Sequence, residues 1–390
     1  MRVGPSNVTQ TPPPDTSPVD AAKGARTGAT PMPAGAEAFA GETSGEVLRG
    51  PADALGDALR WGSEPQEELP KFPTGDVLLA DTGGAKLPGA VAKGPSPATD
   101  AAAIAKLAPK QQLEHVQQLR QKNPAAFEAL VKAVRDGTVT DKKVAMAVSI
   151  ELTASTPWGK TGQGKEVVAQ VRTMYAQGKL AFGAVPGGHL GYTKPDKAPE
   201  PGKGSGSVMT VSDKLAGTPE GLASVLAHEG LHALLYAKGK TPVIPLESEA
   251  LGNLAGAEVW AAFGPDKEKV AGAGAAEALK TLKDDATVFD PKASKAQNQA
   301  KMELHVATEY AYSHAKAGNK ARYAEAAGMI EHVLQRDDAT ALLKGASDSQ
   351  VKRMYFAYEK FIKSLPADEL SDDAKLNLKT LSEELDRRGL

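Results

Sequence analysis

The sequence predicts an α+β protein, with a small sheet and one buried helix near the middle of the chain and mainly helical parts on both sides. Three observations predict it. Strand-like alternation is confined to about residues 179–213. Apolar residues recur at helical spacing before that stretch, and again beyond about residue 264. Between the two, a helix running from Thr218 to Gly239 is apolar around most of its circumference, which is the pattern of a helix buried on all sides.

Taken in order, residues 1–98 are crowded with Pro, Gly, Ala, Ser and Thr and carry few aromatics. Such a stretch cannot bury enough apolar area to offset the entropy of ordering, so a disordered tail is expected. Residues 99–160 read as a helical subdomain: QQLEHVQQLRQK, then AAFEALVKAVRDG after Asn123-Pro124, then DKKVAMAVSIELT. Residues 161–263 begin with a helix ending at Gly178. Short strands follow in LAFGAV, HLGYT and SVMTVSD, with Gly-rich and Pro-rich turns between them. Residues 264–390 read as a helical bundle with segments near 267–284, 293–317, 319–335, 347–363 and 371–388.

Composition bounds the chemistry. The 390 residues carry 46 Lys and Arg against 48 Asp and Glu, a formal net charge of -2, so the basic excess that nucleic acid binding needs is missing. There is no cysteine, which excludes disulfides, thiolate metal clusters and a cysteine nucleophile and leaves any metal to histidine and carboxylate. No stretch approaches the roughly 20 apolar residues of a membrane span, and the N-terminus has no apolar signal region. The expectation is a soluble protein, either cytoplasmic or secreted by a non-classical route.

The central helix carries the chemistry. Thr218 can cap it, Pro219 suits its first position, and Glu220 favours the positive end of its dipole. Inside it stands His228-Glu229-Gly230-Leu231-His232. Residues i and i+4 share a helix face, so both imidazoles can converge on one tetrahedral ion that keeps a position open. Glu229, one residue after the first histidine, points to the side of that ion, where a general base acting on metal-activated water belongs. With seven histidines in the chain, a chance HExxH arises on the order of once per hundred such sequences. Its uncharged surroundings, VLAHEGLHAL, and the strand-loop-cap that precedes it add weight. Gly230 costs the helix about 1 kcal/mol relative to alanine.

These residues resemble the zincin metallopeptidases, whose active-site helix reads HExxH and usually follows an edge strand that binds extended peptide. SVMTVSDKLAGTPEGLASVLAHEGLHALL looks like that unit, and the resemblance covers roughly residues 163–263. A metzincin would have glycine and histidine three and six residues beyond the second ligand, where this chain has Leu235 and Lys238. The gluzincin arrangement remains, with a glutamate on the following helix as third zinc ligand. PLESEALGNLAGAEVWAAF offers Glu247, Glu249 and Glu258. An antiparallel helix pair favours the first two. Glu247 is preferred because it shares a face with Leu251 and Leu254, whereas Glu249 shares one with Asn253 and Gly256. The segment Glu247-Ser248-Glu249-Ala250 is similar to the E-x-x-A third-ligand pattern of several zincins. It departs from the N-E-x-x-S-D pattern of thermolysin at Leu246, Ala250 and Leu251.

The resemblance implies a Zn2+-dependent metalloendopeptidase with His228, His232 and Glu247 as ligands, Glu229 as catalytic base, and a peptide or protein as substrate. The alternative is a catalytically silent interaction protein whose C-terminal helices bind a protein partner and whose metal site is structural or vestigial. Weaker candidates are His189 and Tyr192 as oxyanion donors and His305 with Glu309 as a second metal pair. The bland reading, ordinary strand and helix-face residues, is preferred for these four.

Overall fold

Capping chemistry divides the chain into short helices, and the computed structural model places their limits close to the signals in the sequence. It describes residues 97–390 apart from 186–188, 198–201, 241–244 and 269–272. The tail expected over residues 1–98 therefore lies outside the described residues except for its last two. The N-terminal helices are α1 (Pro97–Ala105), α2 (Pro109–Lys122), α3 (Pro124–Arg135), α4 (Lys142–Ser155) and α5 (Gly162–Ala176). Proline opens α2 and α3, where its missing N–H costs nothing. Asn123, Asp141 and Thr161 cap α3, α4 and α5 by accepting backbone N–H groups.

Three strands follow: β1 (Leu180–Gly183), β2 (Gly191–Pro195) and β3 (Ser207–Ser212). Their order is β1-β3-β2, with β3 parallel to β1 and antiparallel to β2. The register aligns Leu180, Met209 and Thr193 in one row and Phe182, Val211 and Gly191 in the next on the same face. Leu180, Met209, Val211 and Thr193 are buried. That inner face includes Gly191 and Thr193 of the edge strand β2, while Tyr192 stands on the other face, 48% exposed.

The central helix α6 (Pro219–Lys238) is buried over most of its length, including Leu222, Val225, Leu226, Leu231, Leu234 and Leu235. Each such side chain contributes about 1.5–3 kcal/mol on leaving water. Thr218 occupies the N-cap position but does not cap: its buried hydroxyl donates back to the Leu215 carbonyl at 3.1 Å. Glu220 is buried and paired with Arg135 of α3. The helix ends at Gly239, whose φ of 63° is the left-handed conformation that glycine adopts without strain.

Gly230 has a packing reason. A Cβ there would lie 2.6 Å from Val171 Cγ2 and 2.7 Å from Val167 Cγ1, so its absence lets α5 press against α6 beside the histidine pair. β-Branched valines cannot swing aside cheaply. Gly230→Ala should therefore destabilise the fold by about 1–3 kcal/mol despite alanine's better helix propensity. Thermal unfolding checks this, and an unchanged or raised midpoint would contradict the close packing.

The remaining helices are α7 (Pro245–Ala261), α8 (Ala273–Val288), α9 (Lys295–Ala317), α10 (Tyr323–Leu334), α11 (Ala339–Gly345), α12 (Asp348–Ile362) and α13 (Asp372–Arg388). Of these, the seven-residue α11 has no counterpart among the helices expected from sequence, being too short for a helical period to show. The described residues belong to one compact unit, Ala85–Leu390, mostly helical with one small sheet. Two apolar cores meet at α7. Ala255, Val259 and Trp260 join the core that contains α1–α6 and the sheet, whereas Leu246, Ala250, Leu254 and Ala257 join the core of α9–α13. This double burial of α7 determines which of its glutamates reaches α6.

Candidate metal centre

One turn of α6 sets the two histidines side by side. The rings of His228 and His232 meet edge to face at a centroid distance of 4.9 Å, with their Nε2 atoms 3.1 Å apart. The Glu249 carboxylate on α7 closes the group: Oε2 lies 3.5 Å from His228 Nε2 and Oε1 lies 3.5 Å from His232 Nε2. Zinc binds nitrogen and oxygen at about 2.0–2.1 Å, which makes the edge of its ligand tetrahedron about 3.3 Å. The three observed separations bracket that edge, so these residues fit one face of a tetrahedral ion. Among the described residues, His228, His232 and Glu249 are the group close enough to hold a metal. The histidine side chains are 18% and 11% exposed and that of Glu249 48%, so the group opens to solvent on the α7 side.

The third ligand expected from sequence is Glu247; the structure instead brings Glu249, and not Glu247, to the two histidines. Glu247 turns from α6 toward the second core, where burial and then the charge of Glu303 on α9 push its carboxyl above the usual range. Glu249 shares its face with Gly252 and Gly256, which line the α6 contact. A Cβ on Gly252 would lie 3.0 Å from His228 Cε1 and Nδ1, and one on Gly256 3.1 Å from the Ser224 carbonyl. Those glycines let α7 approach closely enough for Glu249 to span both rings. Glu258 lies outside the group; burial raises its carboxyl against the opposing charge of Lys295.

Electrostatics within the group are strongly coupled. Burial opposes a charge on His228, but its hydrogen bond to Glu249 and the charges of Glu229, Glu249 and Asp285 outweigh it and raise its pKa to about 9. Burial lowers the pKa of His232. Burial alone would raise Glu249, yet His228 and His232 hold it down to about 2. Imidazole nitrogens and carboxylate oxygens gathered this closely make a site that a cation satisfies.

Outer contacts orient the side chains of this group. Ser248 Oγ lies 2.9 Å from His232 Nδ1, a hydrogen bond that occupies that nitrogen and leaves Nε2 toward the centre. Loss of such a partner costs about 10–100-fold in metal affinity. Ser248→Ala should weaken zinc binding by that factor in a competition titration with a chromophoric chelator, and an unchanged constant would remove Ser248 from the account.

Glu229 is placed by the sheet. It is buried, and Thr193 Oγ1 on β2 donates to its Oε2 at 2.7 Å and to its backbone carbonyl at 3.1 Å. Gly191, two residues earlier on the same face, leaves room: a Cβ there would come within 2.5 Å of Glu229 Cγ. Sequence reading missed Thr193 and Gly191, although the alternation of HLGYT places both on one face. Tyr192, weighed there as an oxyanion donor, stands on the opposite face, and His189 is an exposed residue just before the strand. A tyrosine not singled out in the sequence, Tyr236, lies one turn beyond His232 on α6. Burial, then the charges of Glu249, Tyr192 and Glu229, raise its pKa, so it stays protonated.

His305 and Glu309 do not form a second pair. His305 Nε2 bonds Asp285 Oδ1 at 3.1 Å, and Glu309 pairs with Arg353 of α12. His314 packs on Tyr310, with centroids 4.4 Å apart. Compared with protein-family models, with curated proteins and with solved structures, the chain matches none. Among the described residues no helix is long and apolar enough to cross a membrane.

Proposed function

We propose that the chain is a zinc-dependent metalloendopeptidase, with α5, the sheet, α6 and α7 as a zincin-like core. The observation that carries this reading is the convergence of His228, His232 and Glu249 at tetrahedral spacing, with Glu229 held beside them but outside the ligand group. Zinc bound there would supply a Lewis acid and a water of lowered pKa.

The chain's own groups have distinct tasks. His228, His232 and Glu249 would hold the ion. Glu229 takes the proton of the attacking water and returns it to the leaving amide nitrogen. Thr193 keeps the Glu229 carboxylate turned toward that task, and the packed valines behind Gly230 fix the helix carrying it. Tyr236, one turn beyond His232 on α6 and protonated at neutral pH, is the group we assign to donate to the developing oxyanion. The substrate is an extended peptide or protein segment. A closed structural site would need a fourth protein ligand, and the group formed by the described residues has three.

The test is cleavage of a quenched fluorescent peptide library and of an unfolded protein by the purified chain, with and without a zinc chelator. Cleavage that the chelator stops and added zinc restores is the expected result. Intact peptides and proteins, alongside hydrolysis of some other amide or ester, would replace the peptidase with a different hydrolase.

A further inference from the structure

Away from the metal centre, a cavity of about 290 Å³ opens between α2, α4, α5 and the turn joining the last two. Its polar lining is cationic: Arg120, Lys160, Lys165 and Arg172, with Val168 and Gly159 completing the wall. The two arginines of the lining share one partner, Glu151, which is fully buried. Arg172 grips that carboxylate with Nε and Nη2, each at 2.7 Å, and Arg120 adds Nε at 3.0 Å. One buried carboxylate thus fixes two guanidinium planes while offsetting only one of four positive charges.

The residual donors face the cavity ready-made. Among the described residues, Arg120 bonds protein through Nε alone, leaving its Nη groups for a ligand, and Lys160 and Lys165 enter no ion pair. Lys160 sits on a tightly folded turn. Thr156 Oγ1 accepts from Gly159 N and Thr161 Oγ1 accepts from Gly164 N, each at 3.0 Å. A Cβ on Gly164 would lie 2.0 Å from the Trp158 carbonyl, so that turn has little room to shift. Planar guanidinium groups held in place beside two ammonium groups are the donor set that recognises phosphate. The volume equals roughly ten water molecules, more than a bare phosphate needs and near the lower limit of small-molecule pockets.

We propose that this cavity binds a small phosphomonoester. The site is separate from the metal centre and independent of the peptidase reading.

The experiment is isothermal titration of the full chain with glycerol 2-phosphate at moderate salt, beside inorganic phosphate, glycerol and sodium sulfate at matched ionic strength. The expected result is saturable binding, tighter for the ester than for inorganic phosphate, absent for glycerol, and weakened tenfold or more in Lys160→Ala, Lys165→Ala. Both lysines are exposed, so that variant keeps the fold; an unchanged unfolding midpoint without ligand verifies it. Binding should persist in His228→Ala, His232→Ala, which separates the cavity from any phosphate held by a metal. No saturable binding, equal binding of sulfate, or binding that survives the lysine substitutions but not the histidine ones would overturn the proposal.

Discussion

If the chain is the proposed peptidase, Glu229→Gln should lower the rate of peptide hydrolysis by about 10²–10⁴-fold, the range a positioned general base contributes, while zinc content and thermal midpoint stay at wild-type values. The substitution is close to isosteric, and the amide oxygen can still accept from Thr193 Oγ1, which now bonds the carboxylate at 2.7 Å. What disappears is the ability to take a proton. Because the base acts in the transition state, the loss falls on kcat far more than on KM. A Glu229→Gln protein retaining more than about a tenth of the activity would remove Glu229 from the role of base. A Thr193→Val companion should show a smaller fall of the same kind, since it frees the carboxylate without deleting it.

The second large effect separates two neighbouring glutamates. Glu249→Ala should weaken zinc by more than the roughly 100-fold that loss of an outer-shell partner costs, because it would delete the proposed third ligand. Glu247→Ala should leave the zinc constant within about threefold, because that side chain belongs to the α7–α9 contact and holds no ligand position. Metal competition titrations on both variants decide it. The reverse ranking would restore Glu247 as ligand and contradict the placement of Glu249 across both histidine rings.

That pair also shows where sequence reasoning reached its limit. The buried motif helix was legible because its apolar residues surround the whole circumference, and its stop was legible because Gly239 takes the left-handed conformation. The choice of Glu247 followed a sound rule, that the face bearing Leu251 and Leu254 points to a core. The rule does not bring Glu247 to the histidines because α7 is buried on two sides: Leu254 belongs to the C-terminal core and Leu251 packs on the other. The usable signal was the small-residue stripe Ser248, Gly252 and Gly256, at four-residue spacing, which marks the side where a second helix comes close. Glu249 lies beside that stripe. At and just before β2, His189 and Tyr192 stand out in the sequence for their chemistry. Strand alternation instead turned Gly191 and Thr193 inward, one to make room for Glu229 and the other to hold it. The interplay of α5 with Gly230 could not be read at all, since it depends on a contact 59 residues distant along the chain from Val171.

The central claim is that α6 and α7 together hold one zinc ion, and elemental analysis of the purified protein beside a His228→Ala, His232→Ala variant tests it most directly. About one zinc per chain in the wild type and essentially none in the variant is the result that three converging ligands predict. A wild-type protein that takes up no zinc, even after reconstitution, would contradict it, and with it the metallopeptidase reading.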